Sequence, residues 1–310
     1  MFLRYFGCHF FALLTLASLA APALAQNECK DNKRLVGGVS TRIEEHLWQV
    51  ALNSPTGLCG GSLIQDQWVL TAAHCVPQNA DAKTVRVKAG ATNYKQTGTW
   101  TDVETIVIHE KYNASTHEND IALLKLKSST AGNIIPLAEP NQQLKACDKL
   151  EITGWGRTSE GGQTSDILQK AEIPYVENKV CNAPQIYNNA VTPGMMCAGF
   201  RDGGIDSCHG DSGGPLVLDG NDGRVLVGVV SWGEGCARKL RYGVYTRVMP
   251  YRDWIAKSIR ADQGSDFTNG AQYKLKVQPD PPGKTPDNCL PGEHACPVPP
   301  RYCCSNGVRE

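Results

Sequence analysis

The feature that most constrains this sequence is a succession of short β segments, separated by turns, from Leu35 to about Val248. Each segment is rich in β-branched and aromatic residues, and Gly, Asn, Asp and Pro separate it from the next. The segments are WQVAL, SLIQDQWVLTA, TVRVKAG, VETIVI, IALLKL, LEITGWG, RVLVGVVSWG and YGVYTRV. This pattern predicts an all-β sandwich or barrel.

The end of the chain has a different character. The stretch PYRDWIAKSIRA opens with Pro250 and repeats apolar side chains every three to four residues, which predicts a helix that closes the domain. Residues 261–288 are polar and rich in Pro and Gly, which indicates a linker. Residues 289–310 hold four cysteines in a piece too short to bury a core, so we expect disulfides to maintain its shape.

The beginning of the chain predicts export. Residues 1–25 combine Arg4, an apolar run from Phe10 to Leu19 and the small-residue cleavage motif Ala23-Leu24-Ala25, as a secretory signal peptide does. A membrane anchor is the alternative, but the run is too short and lacks downstream cations. No later stretch is apolar enough to span a bilayer, so we expect a secreted protein, extracellular or periplasmic.

Composition excludes some partners and favours disulfides. The 310 residues carry a formal net charge of +0, which gives no indication of nucleic acid or an acidic membrane surface as a partner. Thirteen cysteines become twelve once Cys8 leaves with the signal peptide, and an even number in an exported chain indicates disulfides. There is no Cys-x-x-Cys pair, so we expect no structural zinc site. Asn113-Ala114-Ser115 is an N-glycosylation sequon, relevant only in a eukaryotic source.

Three separated motifs suggest a chemistry. His74 lies in LTAAHC after an apolar strand, Asp120 begins NDIALLKL, and Ser212 lies in GDSGGP. Alone, these residues fit a structural histidine, an ordinary acid at a strand start and a tight loop. Together they supply a hydroxyl nucleophile, an imidazole to take its proton and a carboxylate to fix the imidazole's tautomer.

The order His, Asp, Ser and the surrounding motifs resemble the trypsin-like serine proteases of the chymotrypsin family. The matching motifs are RLVGG, AAHC, NDIALLKL, GWGRT, DSCHGDSGGPL and SWGEGCA with YGVYTRV, spread over residues 35–260. The resemblance implies two antiparallel six-stranded β-barrels with the active site between them. It makes His74 the general base and acid, Asp120 its orienting group and Ser212 the nucleophile. The N–H groups of Gly210 and Ser212 would form the oxyanion hole.

The resemblance also implies a substrate class. Asp206 matches the acid at the base of trypsin's primary pocket, and a buried carboxylate there favours Arg or Lys in the substrate. Gly233 and Gly243 match the pocket walls and leave room for a long side chain. The backbone of Ser231–Gly233 would pair with the substrate as an extended strand.

An activation step follows from the same resemblance. Residues 26–34 would be a propeptide that is cut after Arg34, so that the new ammonium group of Leu35 pairs with buried Asp211 and orders the oxyanion loop. Leu35 departs from the usual Ile or Val, and we expect activation to survive that change. Since the cut follows Arg, a protease specific for basic residues could activate itself.

The resemblance implies three disulfides and leaves others open. The implied pairs are Cys59–Cys75, Cys181–Cys197 and Cys208–Cys236. Parity among the rest suggests Cys29–Cys147, which would keep the propeptide attached after cleavage. The competing arrangement links Cys29 or Cys147 to the tail.

Several positions depart from trypsin. Ala91 stands where trypsin's calcium loop begins with an acid, and the loop is shorter, so we expect no calcium dependence by that route and no other cofactor. Tyr242 replaces a pocket-rim Pro, which leaves sodium activation open. His209 is expected at the solvent-facing rim of the site, and four further histidines are expected to be solvated: His46, His109, His117 and His294.

The sequence therefore predicts a monomeric secreted zymogen of a serine endopeptidase. Its partners would be protein or peptide substrates with Arg or Lys at the cleavage site, together with protein inhibitors. A non-catalytic homologue that acts as a binding or regulatory protein is the alternative. Such homologues usually have a broken triad or a filled oxyanion turn, whereas His74, Asp120, Ser212 and Gly210 are all present.

Overall fold

The computed structural model describes Cys29, residues 38–220 and 223–262, and the backbone of residues 293–295 and 303–305. The predicted signal peptide, Arg34, Leu35 and most of the linker and tail lie outside the described residues. Between residues 38 and 262 the strands β1 to β13 are, in chain order, Val39–Ser40, Gln49–Ser54, Gly57–Gln65, Trp68–Thr71, Arg86–Ala89, Trp100–Ile108, Ala122–Leu126, Lys149–Gly154, Gln169–Val176, Met195–Ala198, Pro215–Gly220, Gly223–Trp232 and Gly243–Arg247.

Two antiparallel six-stranded barrels form the body, as predicted. The first closes in the spatial order β2-β3-β4-β7-β6-β5. In the second, the order β9-β10-β13-β12-β11-β8 closes through the pairing of β8 with β9, and β1 adds to β9 at the outside. The strands alternate with turns because each apolar segment is short, and a closed barrel leaves no sheet edge unpaired.

Each barrel encloses its own apolar core. Leu52, Leu70 and Leu124 are fully buried in the first, and Leu150, Leu216 and Tyr245 in the second. A hydrogen bond from Thr153 Oγ1 to Gln49 Oε1, 2.6 Å long and buried, joins strands of the two barrels.

The helices are short and lie mostly at the ends of strands. Helix α1 covers Asn178–Cys181 and helix α2 covers Arg252–Asp262, where a helix was predicted. In α2, Ile255 and Ile259 are buried in the core of the first barrel, so the end of the domain packs back against its first half. Single 3₁₀ turns occupy Ile43–Glu45, Ala73–Cys75, Ala82–Thr84 and Met249–Tyr251.

The described disulfides include the three pairs that the resemblance implies, and Cys29 is bonded to Cys147. Parity had suggested Cys29–Cys147 over a bond to the tail, and the structure contains this pair at a Cα–Cα distance of 5.3 Å. In the tail, the backbone of β14 (Glu293–Ala295) pairs antiparallel with β15 (Cys303–Ser305).

The expectation that His46 and His109 are solvated is wrong. His46 is fully buried, with Nε2 3.0 Å from Thr41 Oγ1 and Nδ1 3.3 Å from Glu151 Oε1. His109 is 9% exposed and packs against Tyr251 and a neighbouring tryptophan of α2. Burial disfavours the protonated ring and lowers the pKa of His109. The side chain of His294 lies outside the described residues.

Candidate active site

His74 is presented by a single 3₁₀ turn that follows strand β4. The turn spans Ala73–Cys75, and the disulfide from Cys75 to Cys59 anchors it to β3. The His74 side chain is 25% exposed, and its Nδ1 lies 2.8 Å from Asp120 Oδ2. One ring nitrogen is thus engaged with a carboxylate while the imidazole remains accessible to solvent.

Asp120 is fully buried just before β7 and is held by several donors. The backbone N–H of His74 donates to Oδ1 at 2.9 Å, and the Ser231 hydroxyl donates to Oδ2 at 2.5 Å. Thr246 Oγ1 donates to the Asp120 carbonyl at 2.7 Å. Burial alone would raise the pKa of Asp120, but the bonds and charge of His74 and the bond from Ser231 outweigh it and lower the pKa. Asp120 therefore stays ionised and fixes the orientation of the imidazole.

Ser212 lies in a turn that glycine makes possible. Gly210 has a φ of 102° and Gly213 a φ of 78°. Residues that carry a Cβ rarely adopt these positive φ values. A Cβ on Gly213 would collide with Thr71 Oγ1 and lie 2.6 Å from the Gly60 carbonyl. The Gly60 N–H donates to the Ser212 carbonyl at 2.7 Å. The turn therefore packs directly against the strands that lead to His74.

The loop that precedes Ser212 is also held from its other side. The carbonyl of His209 accepts a 2.9 Å hydrogen bond from the Arg157 N–H. Because the peptide bond is planar and trans, the N–H of Gly210 points away from Arg157. The Ser212 hydroxyl has no hydrogen bond to any residue that the structure describes. Catalytic hydrogen bonds of this kind are often completed only when substrate binds.

Comparison with known proteins identifies the family of this arrangement. The model of the family described as Trypsin matches residues 35–255. The chain belongs to the trypsin family of serine proteases. It is 41% identical over 228 residues to transmembrane protease serine 11C of Mus musculus. The aligned region covers 72% of this chain and 53% of that protein. It is 39% identical over 231 residues to transmembrane protease serine 11E of Mus musculus. The aligned region covers 73% of this chain and 54% of that protein.

The chain thus spans about half the length of the curated relatives that it matches. Among the residues that the structure describes, no helix has the length and apolar character needed to cross a membrane.

Asp206, which the resemblance matches to the acid of trypsin's primary pocket, is held by two backbone donors. Its carboxylate accepts hydrogen bonds from the backbone N–H groups of Ser207 at 2.8 Å and Ala237 at 3.3 Å. Burial is the main cause that raises the pKa of Asp206 to about 7; the backbone bonds from Ala237 and Ser207 oppose this rise, and the nearby Asp211 carboxylate contributes to it. A cationic ligand would therefore gain from pairing with this carboxylate.

The two glycines that the resemblance assigns to the pocket walls have different surroundings. A Cβ on Gly243 would lie 2.6 Å from Asp206 Oδ1, whereas a Cβ on Gly233 would have no neighbour closer than 3.8 Å. The disulfide Cys208–Cys236 joins the two segments that flank Asp206. His209 is exposed, as predicted for a rim residue, and its Nδ1 lies 3.7 Å from the Cys236 sulfur.

Asp211 borders a cavity of about 240 Å³ that Asp206 also lines. Its carboxylate accepts hydrogen bonds from the N–H groups of Gly156 at 2.7 Å and Cys208 at 3.0 Å. Burial raises the pKa of Asp211 to about 6, against the lowering effect of these two bonds. Gly38 and Gly154 also line the cavity, and a Cβ on Gly154 or Gly156 would collide with the carboxylate. The cavity therefore offers a partly desolvated anion close to the first described residues of the domain.

Sequence reasoning missed two participants in this site. The Ser231 side chain donates to Asp120, whereas only its backbone was assigned a role. His117, expected to be solvated, is half-buried, with its ring centroid 5.9 Å from that of His74 and 6.4 Å from that of Trp232. Burial lowers the pKa of His117. Its position three residues before Asp120 was the available signal.

Two clusters of Cys and His side chains bring their potential metal-ligand atoms within 4.8 Å of one another. One contains Cys59, His74 and Cys75, and the other contains Cys208, His209 and Cys236. In both clusters the cysteines are bonded to each other, so they supply no thiolate ligands.

Proposed function

We propose that this chain is the zymogen of a secreted serine endopeptidase that hydrolyses peptide bonds after Arg or Lys. The observation that carries the proposal is the 2.8 Å contact between His74 Nδ1 and buried Asp120, next to the glycine-bounded turn of Ser212. The carboxylate engages Nδ1 and leaves Nε2 for proton transfer.

The reaction follows from these groups. His74 Nε2 takes the proton of the Ser212 hydroxyl as its oxygen bonds to the carbonyl carbon of the substrate. The N–H groups of Gly210 and Ser212 stabilise the resulting oxyanion, an effect of roughly 10²–10³ in rate for each donor. His74 then gives the proton to the leaving amine, the C–N bond breaks, and an acyl-enzyme remains. Water attacks the acyl group with the same proton transfers and releases the acid product.

Specificity would come from Asp206 with the open walls at Gly233 and Gly243. An Arg or Lys side chain would pair with the carboxylate, and a neutral side chain would leave it desolvated without a partner. The backbone of Ser231–Gly233 would hold the substrate as an added strand.

Activation would use the cavity beside Asp211. Cleavage after Arg34 creates an ammonium group on Leu35, three residues before Gly38 at the cavity wall. Three extended residues span about 10 Å. Pairing with the ammonium would favour the ionised form of Asp211 and tie the Ser212 loop to the new terminus. The Cys29–Cys147 disulfide would keep the propeptide attached to the enzyme.

The deciding experiment begins with the precursor cut after Arg34. Hydrolysis of amides ending in Arg, Lys and Phe is compared for the wild type and Ser212→Ala. We expect rapid cleavage after Arg and Lys and a loss of about 10⁴-fold or more in the variant. Absence of hydrolysis by correctly cut wild type would favour the binding-protein alternative, and a preference for Phe would refute the role of Asp206.

Self-activation and secretion require their own tests. A purified Ser212→Ala precursor should stay uncut after Arg34, and its maturation without another protease would refute self-activation. Both mouse relatives are named transmembrane proteases, so the location of this chain must be measured separately. We expect a soluble product in the medium whose sequence starts at Gln26. Retention in membranes with residues 1–25 intact would contradict secretion.

A further inference from the structure

The glycosylation sequon lies at the tip of an exposed loop beside the proposed active site. Asn113 Oδ1 accepts hydrogen bonds from the N–H groups of Ser115 at 2.9 Å and Thr116 at 3.3 Å, which forms an Asx turn. All four residues from 113 to 116 are exposed. The sequon therefore occupies an ordered turn on the surface.

The geometry leaves the reactive atom of Asn113 available. Both hydrogen bonds to the side chain use Oδ1, and the amide nitrogen Nδ2 lies on the other arm of the same planar group. Within the part of the chain that the structure describes, Nδ2 has no hydrogen-bond partner. A sugar attached there would leave the Asx turn intact and would extend into solvent.

The same loop forms a wall of the substrate cleft. The N–H of Asn113 donates to the carbonyl of Glu118 at 2.9 Å, and these two residues form an antiparallel bridge. Paired residues of this kind have Cα atoms about 5 Å apart. His117 precedes Glu118 and packs near both His74 and Trp232. Asn113 therefore lies close to the proposed catalytic imidazole, with Glu118 and His117 between them.

We propose that Asn113 carries an N-linked oligosaccharide that covers this wall and keeps bulky folded partners out of the cleft while it admits short peptides. In the secretory pathway, a lipid-linked pyrophosphate donor supplies the oligosaccharide. A bond forms between Asn113 Nδ2 and the anomeric carbon, the sugar–phosphate bond breaks, Nδ2 loses one proton, and the lipid pyrophosphate leaves. The selective effect on substrates rests on the proposed protease function, whereas the modification itself needs only secretion.

The test compares full-length proteins secreted by a eukaryotic host: the wild type, Ser115→Ala and Ser115→Thr. The Ala variant removes the sequon but preserves Asn113 and the backbone N–H groups that form its turn. The Thr variant keeps the sequon and is the matched control. Peptide mass mapping before and after enzymatic removal of N-linked sugar should find a glycan on Asn113 in the wild type and the Thr variant only. An unmodified Asn113 in the secreted wild type would overturn the proposal.

The effect on substrates is measured after activation of the same proteins. A short Arg amide should be hydrolysed at the same rate by all three. A folded protein with one exposed Arg-containing loop should be cleaved about threefold or more faster by the Ala variant and by enzymatically deglycosylated wild type, because the approach of a large partner is no longer obstructed. Equal rates on the folded substrate would refute the shielding.

A readout that needs no activity separates this proposal from the proposed function. In a Ser212→Ala background, added trypsin should cut after the exposed Lys111 more slowly when Asn113 is glycosylated. If no protein hydrolyses the Arg amide, the protease assignment fails. Mass mapping and protection at Lys111 still decide whether a glycan covers this wall.

Discussion

Gly243 lies directly against Asp206, so closely that a Cβ on residue 243 would be 2.6 Å from the carboxylate oxygen Oδ1. We therefore expect Gly243→Ala to fill the base of the pocket and to lower kcat/KM for Arg amides by about 10²-fold or more. Steady-state rates on Arg- and Ala-ending amides measure the effect, which should be much smaller for Ala.

A small organophosphorus ester that labels Ser212 without entering the pocket provides the control. Unchanged labelling of Gly243→Ala would locate the damage in the pocket. Equal losses on both amides would instead indicate a misfolded site and contradict the assignment.

The ionisation of Asp206 predicts pH-dependent binding of cationic ligands. Burial raises its pKa to about 7, so the carboxyl is neutral below that pH and charged above it. If only the charged form binds, the dissociation constant of benzamidine should rise about tenfold for each pH unit below 7 and level off above it. Titration of activated Ser212→Ala by calorimetry measures binding without catalysis.

An Asp206→Asn variant is the matched comparison for this titration. It should bind benzamidine weakly at every pH between 5 and 9. A wild-type affinity that is constant over this range would show that Asp206 does not contact the ligand.

The uncleaved precursor should lose stability through Asp211 as the pH rises. The folded pKa is about 6, above the unfolded value of about 3.9, so the folded state holds an extra proton between these values. The stabilisation is complete below pH 4 and is lost as the pH passes through 6. The free energy of unfolding of Asp211→Asn, relative to that of the unsubstituted precursor, should increase by about 1–3 kcal/mol between pH 4 and pH 7.

Urea unfolding in an Arg34→Gln, Ser212→Ala background keeps the precursor intact during this measurement. Asn offers only one acceptor to the N–H groups of Gly156 and Cys208, so the absolute stability of the variant is expected to fall. The informative quantity is its change with pH, and a difference that stays constant would rule out titration of Asp211.

The Ser231 hydroxyl should support catalysis by keeping Asp120 ionised. Ser231→Ala removes a 2.5 Å hydrogen bond to Oδ2 but keeps the backbone that would contact substrate. A bond to a charged group contributes about 1.5–3 kcal/mol, so kcat should fall about 10- to 100-fold with little change in KM. Thr246→Val is the control, because Thr246 donates only to the Asp120 carbonyl. An equal loss in both variants would indicate general disruption.

An internal ammonium group should stabilise the loop that binds calcium in trypsin. Lys88 is 5% exposed, and its Nζ donates to the Tyr94 carbonyl at 2.9 Å and lies 5.0 Å from the ring centroid of Trp100. Lys88→Met should lower the free energy of unfolding by about 1–3 kcal/mol. The exposed Lys83→Met serves as the control and should have little effect.

Chelation gives the complementary measurement. We expect EDTA to leave the Tm of the wild type unchanged, because the Lys88 ammonium group already donates to the Tyr94 carbonyl of this loop. A large decrease in Tm on chelation would contradict this interpretation.

Local patterns predicted an all-β domain and its closing helix, and the family resemblance supplied the division into two barrels. Alternating apolar strands and an apolar repeat in α2 are visible in any single stretch, and the motifs around His74, Asp120 and Ser212 are contiguous. Trypsin-family resemblance supplied the connection among these motifs that local patterns lack.

The remaining features depend on contacts between distant segments. His46 is buried because Glu151, more than a hundred residues later, lies 3.3 Å from its ring. Parity suggested Cys29–Cys147, but it left a bond from either residue to the tail as a competing arrangement. The packing of His117 against Trp232 likewise brings together the two barrels, and no local pattern reports that distance.

His74 and Asp120 belong to the first barrel, and Ser212 belongs to the second. The 2.7 Å bond from Gly60 to Ser212 and the Gln49–Thr153 bond are among the contacts that hold the two halves in register. The proposed catalytic groups therefore lie on two separately packed barrels, and their relative position depends on the contacts between the barrels. A ligand that wedges into the seam, far from the substrate, would stop hydrolysis while both cores stayed folded, and its inhibition would not be relieved by more substrate.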